Sequence, residues 1–323
     1  MYTMIKYFKI ILVLCLFAVT LCNANPVRDS ISRFTFQKMS LLEECDACGC
    51  SANGGSMGFS SVFSNNFIGV RYFNQKYRSK DGIFNNSPWV TENFNTIQLW
   101  ARIPITERIQ VSALIPYHFH DRERAVGDEK IQGLGDLTVL AMYVVYQTHK
   151  DSAVYSHKLL AGGGIKAPTG KFDLKNNEGS VNPGFQIGTG SWDYLLSAEY
   201  VVKRNKLGLN TMLNYTFKTE NKKFYEFGNQ FNYAGTFFYL IDWQKLQIVP
   251  QLGVAGEQYE SNSQYRQEVA DSAGHIVFSK FGIEAGRNNF SLGLNFMLPL
   301  QQDLSNAKVE SKYRWAVNLN YTL

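Results

Sequence analysis

The sequence predicts an all-β protein, a transmembrane antiparallel up-and-down β-barrel of about twelve strands with a short N-terminal periplasmic segment. Three observations point there. Apolar residues recur at every second position over most of the chain; the connections between these stretches alternate between long and short; and an aromatic content of 14% accompanies a slightly negative mean hydropathy of -0.20. Alternation with a period of two is the signature of a strand with one oily and one wet face. A helical membrane protein would need apolar runs of about 20 residues, and past the first 24 residues there are none. The formal charge of +5 is spread over turns and strands, so it implies no nucleic-acid partner.

The chain opens with Lys6 and Lys9 ahead of an apolar run from Ile10 to Cys22, followed by the small-residue stretch Cys22-Asn23-Ala24. This is the layout of an export signal, so residues 1–24 are expected to be removed. Residues 25–57 read as a periplasmic leader or plug that carries Cys45, Cys48 and Cys50. Three thiolates so spaced suit one soft metal ion such as Zn or Cu(I). An oxidising compartment also suits a disulfide between two of them, with the third free or paired with a partner protein.

Residues 58–323 form the expected barrel. Its strands are expected at 58–73, 91–103, 109–119, 134–147, 157–167, 184–202, 206–218, 224–239, 245–258, 274–287, 290–299 and 314–323. The seventh alternates most clearly: Leu207, Leu209, Thr211, Leu213, Tyr215 and Phe217 oppose Gly208, Asn210, Met212, Asn214 and Thr216. In the last, Trp315, Val317, Leu319, Tyr321 and Leu323 share one face, and pairing with the first strand would leave no open edge. Connections after odd strands are mostly long (74–90, 120–133, 168–183, 259–273, 300–310, with 219–223 the short exception), and those after even strands are tight, such as 104–107, 203–205, 240–244 and 288–289. Long external loops and short periplasmic turns are the asymmetry of an outer-membrane barrel. Tyr72, Phe73, Tyr117 and Phe119 are expected at an outer aromatic girdle, and Tyr143, Tyr146, Tyr239 and Trp243 at the periplasmic one.

Gln132-Gly133-Leu134-Gly135-Asp136-Leu137, then Gly162-Gly163-Gly164-Ile165-Lys166-Ala167-Pro168-Thr169-Gly170-Lys171-Phe172, Asn182-Pro183-Gly184 and Gly188-Thr189-Gly190-Ser191-Trp192-Asp193 carry a resemblance. Over roughly residues 95–200 the chain resembles the outer-membrane transporter-like barrels grouped with the MetA pathway of phenol degradation. The resemblance implies a transport barrel and supplies no catalytic residues. The Cys45-to-Cys50 segment departs from that pattern and looks like a leader seen on related barrels from the Bacteroidetes group. The glycine-rich stretch is no phosphate-binding loop, because Ile165 stands where its first glycine belongs and Phe172 follows Lys171.

Arg102, Lys166, Glu199, Lys280 and Glu284 fall on the less apolar face of their strands and are expected to point into the lumen, as pathway groups or as an interior salt-bridge network. His118 and His120 share a face beside Asp121, a spacing that more often marks the polar end of a strand than a metal site. No histidine has a serine two residues away on its own face, which leaves membrane-hydrolase chemistry the least supported reading. The sequence therefore predicts an outer-membrane channel or transporter for a small solute, gated or docked by the cysteine segment. The rival is a closed barrel that scaffolds a periplasmic redox or metal partner.

Overall fold

The structure, a computed structural model, describes residues 66–80, 86–124, 127–148, 154–175, 182–244 and 246–323. The export signal, the leader and its three cysteines lie outside the described residues. Twelve strands form a closed antiparallel barrel: β1 (Phe67–Lys80), β2 (Trp89–Pro104), β3 (Ile109–Glu123), β4 (Glu129–Leu134 continued by Leu137–Gln147), β5 (Ser156–Ala167), β6 (Asp193–Arg204), β7 (Leu207–Phe217), β8 (Gln230–Tyr239), β9 (Leu246–Tyr259), β10 (Gly274–Arg287), β11 (Phe290–Leu304) and β12 (Val309–Thr322). Each pairs with the next, and β12 returns to β1 in a register that runs from Phe67↔Thr322 to Ser79↔Val309. In hydrocarbon an unpaired backbone group costs several kcal/mol, roughly, so a sheet can span a membrane only when closed in this way.

Burial follows the alternation with its usual sense reversed. Val70 and Leu319 are 47% and 52% exposed, while their neighbours Arg71 and Asn320 are 4% and 2% exposed. Apolar side chains face outward over a belt that includes Ile97, Leu99, Leu196, Leu213, Phe237, Leu252, Phe281 and Leu294, and polar ones line the interior. The seventh strand obeys its predicted faces throughout. Tight turns lie at 205–206 and 288–289, where Asn205 (φ 52) and Asn288 (φ 54) supply the left-handed conformation that asparagine tolerates best among residues with a Cβ.

Five strands depart from their expected boundaries. β1 runs to Lys80 instead of ending at 73, and β3 to Glu123. Above Tyr72 the outward positions of β1 become Asn74, Lys76, Arg78 and Lys80, so the oily outer face stops at the membrane border and the rest of the strand reads as a loop. Tyr72 and Phe119 stack at 6.1 Å on the outward face at that border, whereas Phe73 points inward and is fully buried rather than belonging to the girdle. β6 begins at Asp193, because residues 182–192 turn into the lumen. There the Asn182 side chain accepts a hydrogen bond from Gly184 N at 2.8 Å, and Gly190 adopts φ +71. β8 begins at Gln230, since Tyr225–Glu226 instead pairs with Ser263–Gln264 outside the barrel wall. β11 extends to Leu304, which shrinks the expected loop at 300–310 to residues 305–308.

The outer half of the interior is packed. Phe73, Tyr77, Phe94, Phe185, Ile276, Phe278 and Met297 form one buried cluster, and Arg314 crosses it to Glu257 with bonds of 2.7 and 2.9 Å while stacking over Phe278 at 4.3 Å. Tyr77 and Tyr259 complete the hydrogen bonding of this pair. Both charges have fully buried side chains, so removing one strands the other; such a break typically costs about 3–5 kcal/mol. Arg314→Met should therefore lower unfolding stability in lipid by that order, and the double variant Arg314→Met/Glu257→Met should recover most of it. Urea titration of the barrel in vesicles checks this. A double variant as unstable as the single one would mean that packing, not charge pairing, dominates there.

Candidate solute pathway inside the barrel

All five lumen candidates read from the sequence have buried side chains on interior faces: Arg102, Lys166, Glu199, Lys280 and Glu284 are each no more than 9% exposed. They do not form one cluster. The register separates them into three groups along the barrel.

Near the periplasmic end, Arg102 on β2 reaches across the lumen to Glu199 on β6 at 3.3 Å, and Glu199 also accepts a bond from Asn210 at 2.9 Å. Near the middle, one hydrogen-bonded row across neighbouring strands carries Glu284, Gly293, Asn318 and Arg71. Arg71 donates from Nε to Asn318 at 2.9 Å and stacks on the Trp100 ring at 3.9 Å. Glu284 accepts from Ser291 at 3.1 Å. Arg71, Trp100 and Asn318 were missed as site residues, although strict alternation from Phe67 through β1 already places Arg71 inward.

The third group lies at the outer mouth. Lys166 sits 2.6 Å from Asp193 and 3.5 Å from Asp136, while Lys218 sits 3.2 Å from Asp193. This network fixes the segment that turns into the lumen. The Asp136 carboxylate accepts from Gly170 N, Thr189 N and Thr189 Oγ1, each at 2.9 Å, and Lys166 Nζ donates to Thr189 Oγ1 at 3.0 Å. Gln186 binds the carbonyls of Leu174 and Asn182, both at 2.9 Å. So held, Phe185 meets Phe94 edge-on at 5.9 Å and narrows the passage. The glycine-rich motifs are thus seen at work: Gly135-Asp136 interrupts β4, and Gly188-Thr189-Gly190 brings backbone amides onto the Asp136 carboxylate.

His118 and His120 also face inward. His118 Nδ1 lies 2.8 Å from Thr96 Oγ1, and the His120 ring packs edge-on against Phe94 at 4.8 Å. Among the described residues, no group of three or more His, Cys, Asp or Glu side chains could hold a metal ion. Those histidines therefore belong to the interior packing rather than to an outer rim.

A closed antiparallel cylinder with an apolar outer belt, aromatic borders and a charged interior is an outer-membrane β-barrel. The chain belongs to the family described as "Putative MetA-pathway of phenol degradation", whose model matches residues 89–282. Its fold is similar to that of an outer-membrane channel from Pseudomonas putida F1, with a TM-score of 0.62 at 17% identity over 82% of this chain and 98% of that one. Other solved barrels that it resembles are the β-domain of the Bordetella autotransporter BrkA (TM-score 0.47, 12% identity, 80% of this chain and 100% of that one) and the translocator domain of NalP from Neisseria meningitidis (0.42, 10%, 81% and 90%). No curated protein matches the chain.

Replacing Asp136 by Asn removes a charged acceptor that serves three donors. Hydrogen bonds to charged groups are worth roughly 1.5–3 kcal/mol each, so local opening around Gly170 and Thr189 should rise by at least about tenfold. Trypsin added to the folded barrel should then cut at Lys171 or Lys175 faster by a similar factor. Unchanged cutting would show that Asp136 does not hold this segment.

Proposed function

We propose that the protein conducts a small solute across the outer membrane through its lumen. The observation that carries this reading is the polar, charged interior enclosed by an oily wall, in a chain of the MetA-type family. Its structural likeness to an outer-membrane channel supports it. A passage wide enough for solute requires Phe185 to leave its place against Phe94, because the cluster around those rings fills the outer half. The charged groups Arg102, Glu199, Lys280 and Glu284 then form the wall of the path below it. Such a wall favours solutes that carry a polar or ionised group, since interior dipoles and charges replace part of their hydration.

The same packed cluster favours a second reading, a closed barrel that serves as a binding or scaffold protein. In both readings the leader with Cys45, Cys48 and Cys50 acts as gate or docking segment, through a soft metal ion or a disulfide. Planar-bilayer recording separates the two. Wild-type chain should give small conductance steps, and Phe185→Ala should enlarge them. Silence in both, with no solute flux whether or not residues 25–57 are present, would remove the channel reading and leave the scaffold.

Elemental analysis together with a thiol count addresses the cysteines. One bound soft metal per chain, lost in Cys45→Ser/Cys48→Ser/Cys50→Ser, is the outcome for a metal site. Two thiols missing from the count without metal is the outcome for a disulfide, and three free thiols without metal would dismiss both roles.

A further inference from the structure

We propose that the middle of the lumen holds a binding subsite for a small monovalent anion, the carboxylate of a solute or a free halide, centred on Lys280. The inference rests on the channel reading only for its biological use. The site itself stands on geometry.

Most interior cations of the described residues have a carboxylate beside them: Arg102 has Glu199, Arg122 has Glu92, Lys166 and Lys218 share Asp193, and Arg314 has Glu257. Lys280 differs. Its side chain is buried, and its polar contact is a 3.3 Å hydrogen bond from Nζ to Thr236 Oγ1. Gly253 stands between Lys280 and Thr236 in the register, and the missing side chain there lets the ammonium reach two strands along the wall. A Cβ at Gly253 would come within 2.1 Å of the Gly235 carbonyl oxygen, so the gap is built into the sheet.

Lys280 and Arg71 line the same cavity of about 30 Å³ with Glu284, Asn295, Asn318 and Asn320. Two cations face one carboxylate there, which leaves one positive charge in excess in a low-dielectric enclosure. Burying an ammonium costs several kcal/mol unless it is paired, roughly, so a mobile anion of matching charge is the species that this site stabilises most. The volume of about 30 Å³ suits a halide or the carboxylate group of a solute and leaves no room for a larger organic body, since one water needs about 10–15 Å³ by the same measure. Arg71 is held in place by Asn318 and by the Trp100 ring, so its positive charge stays on the wall of the same cavity as Lys280.

The test uses the folded full chain in detergent, titrated calorimetrically with sodium acetate and, separately, sodium bromide. Wild type should bind acetate saturably with one site, and Lys280→Gln should weaken it about tenfold or more, the loss expected for a charge-assisted bond, while Lys280→Arg keeps affinity within about threefold. Bromide competing with acetate at the same site would mark a general anion site; acetate binding alone would mark a carboxylate subsite. Both support the proposal. Absence of saturable binding by either anion, or equal binding by wild type and Lys280→Gln with both barrels folded on heat-modifiable gels, overturns it. Because binding is read without transport, a chain that binds acetate but conducts nothing removes the channel reading and keeps the subsite.

Discussion

The structure depends on one constraint: every backbone amide and carbonyl at membrane depth must find a partner inside the protein. The seam between β1 and β12 meets it for the last open edge, with thirteen paired positions from Phe67↔Thr322 to Ser79↔Val309. Once that seam is set, each strand has its register fixed by its neighbours, and a slip of one residue would turn Arg71 or Arg314 into lipid. A charge facing the bilayer midplane of such a barrel costs about 2–4 kcal/mol. The seam therefore decides which residues are interior, and the chemistry of the lumen follows from it.

Inside, the same logic produces struts. Arg314 to Glu257 and Arg102 to Glu199 join strands three and four places apart, so they tie separate parts of the wall together. Neither pair is cheap to bury, and a well-packed apolar substitute could be as stable. What such pairs supply is orientation, since a bidentate guanidinium accepts its carboxylate in few geometries. The interior thus combines an apolar cluster in its outer half, crossed by the Arg314–Glu257 pair, with charged groups at the outer mouth and toward the periplasmic end. The segment bearing Phe185 joins that cluster to the charges at the outer mouth.

Much of this was legible in the sequence because lipid-facing strands write their period plainly. The closing strand, the count of twelve, the faces of β7 and the inward position of Lys280 follow from alternation together with turn chemistry. The errors came where lipid stops acting. Asn74 to Lys80 lie on a strand above the membrane whose outward face is polar, so no oily outer face marks them. Phe185 and Ile187 read as strand because they are apolar at alternate positions, yet they alternate about an inward-turned loop whose partners are distant in sequence. Asp136 and Asp193 carried no signal of their own. Each becomes a hub only when β4, β5 and β6 bring Lys166 between them. Pairs such as Arg314 with Glu257 lie on strands with two others between them, beyond what a single-strand pattern can report.

The distribution of bonds also indicates which part of the interior can move. A strut such as Arg314–Glu257 cannot open without stranding two buried charges, a cost comparable to a large share of a domain's net stability, about 5–15 kcal/mol. The Phe185 segment is different in kind. Gln186 bonds to Asn182 within the segment and to Leu174 in the loop before it, so those bonds survive if residues 182–192 shift together with Leu174. Its ties to the wall pass through the buried groups Asp136 and Lys166, and are made by the backbone amide and hydroxyl of Thr189. Shifting the segment costs the bonds that Thr189 makes to these charged groups, roughly 1.5–3 kcal/mol each, but leaves Asp136 and Lys166 beside each other, whereas opening a strut leaves two buried charges without a partner. Any widening of the passage thus falls to Phe185, and the charged wall beneath it stays in place.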